Sequence, residues 1–399
     1  MSKVMAVNAG SSSLKYKLYE MPEETVICSG IVERIGFEDA IFTLKKGDTK
    51  KSYVTPIKDH QVAINLLLEE MIKMHVVNHI DEIVAVGHRV VQGGKYFSKT
   101  TEIDDEVISI VEKLIPLGPL HNPASIIGIK AFKEVLPNVK MAITCDTSFH
   151  QTIEPVDYLY PIPYEFYEKY DLRRYGAHGT SHRYLTERAS AMLAKEKLNL
   201  ITCHLGSGSS ITAIKDGRSI ATSMGLTPLG GIMMGTRSGD IDPSVYYYIQ
   251  KVTGKTNDEV FRLLNKESGL KGVSGVSSDS RDILKAMDEG DERAKLTMDL
   301  FARRTLDFIG QYFVRLGHVD MIIFSAGIGE NDPYIRKVVC DALKPSLGIE
   351  IDDELNANAR GKEIIISKPS SKIKVAVIPT DEEIMIARDT YKIYLGEKL

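Results

Sequence analysis

VMAVNAGSSSLKYKLYE, from Val4 to Glu20, and LITCHLGSGSSITAIKDGRS, from Leu200 to Ser219, share one pattern of side chains. In each segment an apolar run leads into a short Gly/Ser turn, and an alternating run follows. This pattern predicts two strands joined by a tight turn. Glycine lets a ligand approach the backbone closely, and serine hydroxyls and main-chain N–H groups can bind an anion. Each turn is therefore a candidate phosphate site.

The two turns, residues 8–13 and 204–210, lie half a chain apart and have matching flanks. The pair favours a duplicated domain with a nucleotide held between the halves. For either turn alone, an ordinary serine-rich turn without a ligand remains an alternative.

Length and composition limit the class of protein. A chain of 399 residues suits two domains of about 150–200 residues each. With 43% hydrophobic residues, 26% charged residues and a net charge of −4, the chain does not resemble a nucleic-acid binder. It begins without a signal-peptide pattern, and no apolar stretch approaches the roughly 20 residues of a membrane span. We expect neither nucleic acid nor membrane as a partner.

The four cysteines are scattered and form no CxxC pair. They predict buried, reduced thiols in a cytoplasmic protein rather than a metal–thiolate site. The cysteines are Cys28, Cys145, Cys203 and Cys340.

Each half of the chain starts with strands and continues with helices that alternate with strands, which predicts mixed sheets covered by helices. In the first half we predict helices at 59–74, 104–114 and 124–135, strands at 83–88 and 140–145, and a proline-rich loop at 116–123. In the second half we predict a long loop at 223–243, strands at 320–325 and 374–378, and helices at 180–197, 243–252, 257–265, 291–316 and 382–395. A Tyr/Pro-rich segment at 150–175 marks the predicted boundary.

Four cationic or donor side chains follow strands or lie in loops: Arg89, His121, His178 and Arg237. Such groups suit a transferring phosphoryl group, whose equatorial oxygens carry charge in the transition state. Taken singly, each could instead be a solvated charge or a hydrogen-bonded histidine.

Two carboxylates, Asp146 and Glu382, follow apolar strands and could hold Mg²⁺. For Glu382, a helix N-terminal acid is the alternative. The strand-and-glycine segment 320–331 suits close approach to a nucleotide, although GxG alone is also a common structural turn. The sequence has neither a P-loop motif nor a GxGxxG after its first strand.

Taken together, eleven strings resemble the acetate kinase family from the first strand to the last helix. They are NAGSSSLKY (8–16), GHRVVQGG (87–94), PLHNP (119–123), DTSFHQT (146–152), YGAHGTSH (175–182), HLGSGSS (204–210), TSMGLTPLGG (222–231), MGTRSGDIDP (234–243), SSDSRDI (277–283), AGIGEN (326–331) and DEEIMIARDT (381–390).

This resemblance implies the α/β fold that acetate kinases share with sugar kinases, actin and heat-shock chaperone ATPases. It is a duplicated ribonuclease-H-like fold, with two domains of mixed central sheets flanked by helices and a cleft between them. The implied domains are residues 1–150 with the C-terminal helix 383–399, and residues 151–382.

The resemblance also implies reversible transfer of a phosphoryl group from ATP to acetate, giving acetyl phosphate and ADP, by a cytoplasmic homodimer that requires Mg²⁺, which Mn²⁺ can replace. The implied catalytic residues are Asp146, His178 and Arg237. The implied substrate-binding residues are Arg89, Val91, Leu120, His121, Ala177 and Pro228. The implied ATP-binding residues are Lys15, His204, Leu205, Gly206, Ser207, Gly208, Asp279, Ser280, Arg281, Gly327, Ile328, Gly329, Glu330 and Asn331. The implied metal ligands are Asn8 and Glu382.

The sequence departs from the usual family pattern at several positions: Gln92, Gly118, Ser207, Gly230, Asp381 and Ala177. Ala177 replaces a usual Phe beside the catalytic histidine, so we expect an enlarged acyl pocket unless Met233, Met234 or a shifted loop fills the space. A propionate or other short-chain acyl kinase is therefore an alternative. A non-enzymatic nucleotide switch would not need Arg89, His178 and Arg237, and a pyrophosphate-dependent enzyme would not need the adenosine-binding residues.

Overall fold

A computed structural model describes the whole chain, Met1–Leu399. The chain forms two compact units, one of Met1–Phe149 with Asp381–Leu399 and one of His150–Thr380. None of the helices combines the length and apolarity that crossing a bilayer requires. The division into domains at residues 150 and 382 stays a prediction.

The first unit is built on a mixed sheet of eight strands. Its strands are β1 (Ser2–Gly10), β2 (Ser13–Met21), β3 (Thr25–Glu33), β4 (Ile41–Lys46), β5 (Thr49–Val54), β6 (Ile83–Val90), β7 (Thr101–Glu102) and β8 (Lys140–Cys145). Their spatial order is β5-β4-β3-β2-β1-β6-β8-β7. Strands β1 to β5 form an antiparallel meander, whereas β6 is parallel to both β1 and β8.

Three helices of this unit follow the predicted apolar periodicity: α1 (His60–Lys73), α2 (Asp105–Lys113) and α3 (Asn122–Val135). Asp59 and Asp104 cap the first two, each accepting a hydrogen bond from a backbone N–H of the first turn. Helices α1 and α3 pack together, and the apolar face of α1 joins the core formed by the sheet.

The second unit is built on a mixed sheet of six strands. Its strands are β9 (Asn199–Leu205), β10 (Ser209–Lys215), β11 (Arg218–Thr222), β12 (Met321–Ser325), β13 (Ile364–Ile365) and β14 (Lys374–Val377), in the order β11-β10-β9-β12-β14-β13. The unit's helices are α4 (Pro155–Tyr158), α5 (Glu165–Tyr170), α6 (Gly179–Leu193), α7 (Pro243–Thr253), α8 (Asn257–Lys266), α9 (Gly269–Ser274), α10 (Ser280–Asp288), α11 (Glu292–Leu316), α12 (Ala326–Asn331), α13 (Pro333–Leu347) and α14 (Asp353–Ala357).

The last helix, α15 (Glu382–Tyr394), returns to the first unit and packs against β1 and β6. Gly87 of β6 makes this close approach possible, because a side chain there would collide with Thr390 and Ile386.

The two sheets repeat one topology, which confirms the predicted duplicated fold. In each sheet an antiparallel set of three strands, β3-β2-β1 or β11-β10-β9, is extended by two parallel strands, β6-β8 or β12-β14. The two hairpins predicted from the sequence are β1–β2 and β9–β10, so they occupy equivalent places in the two sheets.

Several predicted boundaries are wrong. Residues 116–123 are not all loop: Ile115–Leu117 is a 3-10 turn, and Pro123 lies in the first turn of α3, where a missing N–H costs nothing. The glycine turn predicted at 326–331 is the short helix α12. The helix predicted over 180–197 ends at Leu193, where Ala194 adopts a left-handed conformation. Strand β6, predicted to end at His88, continues to Val90 and includes Arg89.

Candidate active site

The turn of the second hairpin, Gly206–Gly208, is held by its own hydrogen bonds. Ser209 Oγ accepts from the Gly206 N–H at 3.0 Å and donates to the Gly206 carbonyl at 2.9 Å. Ser209 and Ser210 are completely buried. The prediction that these two serines face an anion is therefore wrong, and the turn leaves the N–H groups of Ser207 and Gly208 for that purpose.

Two of the predicted catalytic residues converge on this turn. A side chain at Gly208 would lie 3.2 Å from His178 Nε2 and 3.5 Å from Arg237 Nη1. His178 precedes the first turn of α6 and has a left-handed conformation, with φ of 55°. Non-glycine residues with such φ values are uncommon and concentrate at functional sites. The fold thus directs an imidazole and a guanidinium toward one point of the predicted phosphate loop.

Arg237 is a cation without a carboxylate partner. Its Nη1 donates to the Pro228 carbonyl at 3.0 Å and contacts Met234 Sδ at 3.5 Å. Burial lowers the pKa of this guanidinium below its ordinary value. A partly buried positive charge that the protein does not neutralise is well suited to an anionic ligand.

A cavity of about 510 Å³ lies beside the same turn, within the size range of ligand sites. Eight of the predicted ATP-binding residues line it: Gly206, Ser207, Asp279, Ser280, Arg281, Gly327, Ile328 and Asn331. Ser278, Leu284, Asp332 and Arg360 complete the lining. The other predicted ATP-binding residues of this unit, His204, Leu205, Gly208, Gly329 and Glu330, are not part of it.

Asp279 and Arg281 form an exposed ion pair at the N-terminus of α10. Arg281 donates from Nε to Asp279 Oδ1 at 3.0 Å and from Nη2 to Oδ2 at 2.6 Å. These hydrogen bonds lower the pKa of Asp279 to about 2. Asp279 also caps α10.

Glu330 has a structural role. Its carboxylate accepts hydrogen bonds from the N–H groups of Ala326 at 2.7 Å and Thr380 at 3.1 Å. It thus fixes the left-handed Ala326, which starts the segment that faces the cavity.

In the first unit, Arg89 and Asp146 form a bidentate pair at adjacent strand ends. Arg89 donates from Nε to Oδ1 at 2.8 Å and from Nη2 to Oδ2 at 2.7 Å. Glu382, the first residue of α15, places Oε2 3.7 Å from Arg89 Nε. These two predicted carboxylates therefore share one arginine, which leaves its Nη1 for a further acceptor.

Burial governs the charge states of this cluster. It raises the pKa of Glu382 to about 7, against the opposing charge of Arg89. For Arg89, burial alone would lower the pKa, but the charges of Asp146 and Glu382 raise it above its ordinary value.

The cluster fits a magnesium ion. Glu382 Oε2 is buried and accepts no hydrogen bond, so it is available to a cation. The chain has no cage of three or more His, Cys, Asp or Glu residues, and Mg²⁺ commonly uses one or two carboxylates and keeps several waters. Asn8 lies in β1, on which α15 packs, opposite the exposed Lys15 of β2.

The predicted acyl-binding residues of the first unit lie on two neighbouring loops, after β6 and before α3. Asn122 joins these loops: its Oδ1 accepts from the Gln92 N–H at 3.1 Å, and its Nδ2 donates to the Gln92 carbonyl at 2.9 Å. Val91 is partly buried, Leu120 is 46% exposed, and His121 precedes α3.

In the second unit, Ala177 is buried in a small cluster with Met224 and Met234. Pro228 lies in the same unit and is tied to Arg237 through its carbonyl. Met234 is one of the residues expected to fill the space beside Ala177, and Met224, which was not predicted, packs there too.

Two residues of these surroundings, Arg360 and His182, were not predicted, and Ser210 was predicted in a different role. Arg360 lines the cavity and forms no hydrogen bond or ion pair, but its sequence neighbours gave no signal. Ser210 contacts His178 directly, and His182 contacts Ser210. A signal for His182 existed, because residues four apart on a helix lie on one face.

Comparison with known proteins gives a consistent result. The model of the acetokinase family matches residues 3–388. The acetate kinase of Bacillus subtilis is 53% identical over 395 residues, which are 98% of this chain and 100% of that protein. Two solved structures cover 98% of this chain and 100% of their own: an acetate kinase from Porphyromonas gingivalis, with 44% identity and a TM-score of 0.94, and a propionate kinase from Francisella tularensis, with 39% identity and a TM-score of 0.93.

Proposed function

Because this chain belongs to the acetokinase family, we propose that it catalyses the reversible transfer of the γ-phosphoryl group of ATP to acetate. The products are acetyl phosphate and ADP. The observation that carries the proposal is the convergence of His178 and the unneutralised Arg237 on Gly208, next to a cavity of about 510 Å³. Such donors stabilise charge that develops on phosphoryl oxygens.

The reaction is a direct displacement. A carboxylate oxygen of acetate forms a bond to the γ-phosphorus while the bond to the β–γ bridging oxygen breaks, and that oxygen leaves on ADP. His178 and Arg237 donate hydrogen bonds to the equatorial oxygens. Arg89 binds the acetate carboxylate through Nη1, while Asp146 holds its Nε and Nη2 in place.

The nucleotide occupies the cavity of the second unit. Ser207, Gly208 and Gly327 offer backbone N–H groups to the phosphates, and Asp279, Arg281 and Asn331 surround the adenosine part. Lys15 of the first hairpin adds a positive charge for the phosphates. Arg360 is a further cation in the lining, suited to stacking on the base or to pairing with phosphate.

Asn8 and Glu382 would hold Mg²⁺, and Mn²⁺ would serve in its place. The ion would neutralise phosphate charge when bound. The unpartnered Glu382 Oε2 supports this assignment.

Acetate is the preferred acceptor in this proposal. The packing of Met224 and Met234 on Ala177 supports a small acyl pocket, because methionine fills irregular gaps. One extra methylene in a filled pocket costs about 1–3 kcal/mol. Propionate is the second candidate acceptor, which the similarity to the Francisella propionate kinase supports.

The test is to trap acyl phosphates as hydroxamates from ATP and a panel of acids with one to four carbons. Acetate should exceed propionate in kcat/KM by at least about fivefold, which the packing cost above predicts. Equal values would show a pocket that accepts the longer chain. No hydroxamate from any acid would contradict the proposed reaction.

We further propose a cytoplasmic homodimer. All four cysteines are free and buried, which suits a reducing compartment. Helix α7 has no buried residue, and its Tyr247 and Tyr248 are 65% and 64% exposed. Exposed apolar surface of this kind is typical of association sites. Light scattering should give about twice the 44.3 kDa of one chain, whereas the mass of a single chain would contradict the dimer.

A further inference from the structure

Behind His178, a buried chain of hydrogen bonds runs through three residues that the proposed reaction does not use. Ser210 Oγ lies 2.9 Å from His178 Nδ1 and 2.7 Å from His182 Nε2. The other ring nitrogen of His182, Nδ1, lies 2.7 Å from Thr202 Oγ1. Thr202, His182 and Ser210 are all completely buried, so solvent does not compete for these contacts.

Local structure explains why these residues meet. His178 and His182 are four residues apart across the first turn of α6, which places both rings on one side of the helix. Thr202 lies on β9 and Ser210 on the adjacent β10, opposite Thr212 and His204 respectively. The helix and the hairpin that forms the predicted phosphate loop thus share this chain of contacts.

The number of protons available links the tautomers of His178 and His182. Ser210 has one hydroxyl proton and two imidazole nitrogens as partners, so it donates to one ring and accepts from the other. Burial, with nearby His150 and His204, keeps the pKa of His182 well below its ordinary value, so this ring carries one proton. The tautomer of one histidine therefore dictates that of the other.

The proposed role of His178 selects the direction. If Thr202 donates to His182 Nδ1 across their 2.7 Å contact, then His182 Nε2 donates to Ser210, and Ser210 donates to His178 Nδ1. In the reverse order His182 Nδ1 donates to Thr202 and His178 Nδ1 donates to Ser210, which leaves Nε2 of a neutral His178 without a proton. Only the first order lets His178 Nε2 donate to an equatorial oxygen of the phosphoryl group.

We propose that Thr202, His182 and Ser210 form a relay that holds neutral His178 with its proton on Nε2. This is the nitrogen that faces Gly208, where a side chain would lie 3.2 Å from it. His204, stacked on His178 with ring centroids 4.0 Å apart, and Arg237 are the other titratable or charged groups at this position. The three relay members are positioning residues, since they act through His178.

The link from this tautomer to phosphoryl transfer rests on the proposed function, but the tautomer can be measured without it. Nitrogen-15 NMR of ring-labelled histidine separates protonated from unprotonated ring nitrogens, and the signals that vanish in His178→Gln identify His178. At a pH where His178 is neutral, the wild type should show a protonated Nε2 and an unprotonated Nδ1. A protonated Nδ1 with an unprotonated Nε2 would overturn the relay, whatever the activity of the enzyme.

Kinetics then test what the relay does. Ser210→Ala should lower kcat about tenfold, less than the loss of a direct transition-state donor, with KM for ATP nearly unchanged. Ser210→Thr keeps the hydroxyl and should recover most of kcat. The matched control is Thr212→Val on the same strand, because the buried Thr212 hydroxyl bonds only Thr222, at 2.9 Å.

If Ser210→Ala keeps more than half of the wild-type kcat, or if Thr212→Val loses as much kcat as Ser210→Ala, the relay has no role in catalysis. If Ser210→Ala does not fold, the spectrum of the wild type still decides the tautomer. The isosteric variant Thr202→Val then takes the place of Ser210→Ala in the kinetic test. A loss of kcat is expected for Thr202→Val, and an unchanged kcat would contradict the relay.

Discussion

Among single side chains, Arg237 and His178 bear the largest share of the proposed chemistry. Arg237→Ala and His178→Ala should each lower kcat by about 100-fold or more, with a much smaller effect on KM for ATP, because each removes a donor to the equatorial oxygens. Steady-state kinetics measure this. Arg304→Ala, which removes an exposed arginine of α11, is the control and should leave kcat unchanged. A variant of Arg237 or His178 that keeps more than half of the wild-type kcat would exclude that residue.

Arg89 should not be replaceable by lysine. Its two parallel hydrogen bonds to Asp146 require a planar guanidinium, and an ammonium group cannot make both and still reach the substrate. Arg89→Lys should therefore recover little of the kcat/KM for acetate that Arg89→Ala loses. Arg89→Ala should also lower the free energy of unfolding by about 3–5 kcal/mol, because it leaves buried Asp146 unpaired. Near-complete recovery by lysine would show that only the charge at this position matters.

His88 should make the protein less stable in mild acid. Burial lowers its pKa to about 3 from an ordinary value of 6.5, so the unfolded chain binds a proton that the folded chain excludes. The contribution of neutral His88 to the free energy of unfolding is therefore complete above pH 6.5 and is lost as the pH falls toward 3. Between pH 7 and pH 5 it amounts to about 2 kcal/mol.

Urea unfolding at pH 7 and pH 5 measures this effect. His88→Leu removes the titrating group, so the variant should lose about 2 kcal/mol less than the wild type over the same interval. An identical loss in both proteins would show that His88 is not responsible.

Most of the side chains near the predicted phosphate loop could be predicted from the sequence, because Gly-flanked Arg237 and His178 are unusual choices for a core. The functions of Ser209 and Ser210 could not. Their place in the motif suggested contact with an anion, but Ser209 bonds the Gly206 carbonyl within the turn, and Ser210 bonds His178, which precedes α6. Arg360 could not be predicted either, because only the folded structure brings it to the cavity.

Among the secondary-structure elements, the β9–β10 hairpin should be sensitive to a single methyl group. Gly208 does not have a left-handed conformation, so alanine fits its backbone, yet its Cβ would lie 3.2 Å from His178 Nε2. Gly208→Ala should lower kcat/KM for ATP about tenfold or more by displacing that ring, with little change in thermal stability.

Gly310→Ala is the matched control. Gly310 lies inside α11, a side chain there meets no atom within 4 Å, and alanine favours the helix by about 0.5–1 kcal/mol. It should raise the melting temperature slightly and leave activity unchanged. If Gly208→Ala is as active as Gly310→Ala, the phosphate group does not bind near this turn.

Elements with strong periodicity could be predicted well, and those where two signals competed could not. The hairpins, α1 and α11 follow their apolar patterns. Pro123 was assigned to a loop because proline interrupts helices, but the first helical turn tolerates it. The glycines of Ala326–Asn331 suggested a turn, whereas the segment is a short helix whose first N–H, that of Ala326, donates to the Glu330 carboxylate.

For the chain as a whole, the repeated hairpin was enough to predict the duplication, because each copy starts a sheet of the same topology. Of the extra strands that make the two sheets unequal, the sequence pattern at 40–45 predicts β4, whereas β5, β7 and β13 could not be predicted. Their pairings depend on contacts between distant residues rather than on local pattern.

The central claim is that the chain transfers a phosphoryl group from ATP directly to a carboxylate. Phosphorus-31 NMR of the purified protein with ATP, Mg²⁺ and acetate follows every product in one measurement. We predict that ADP and acetyl phosphate appear together in equal amounts, and that Arg237→Ala slows both about 100-fold or more. Formation of AMP and pyrophosphate, or of free phosphate without acetyl phosphate, would contradict the account.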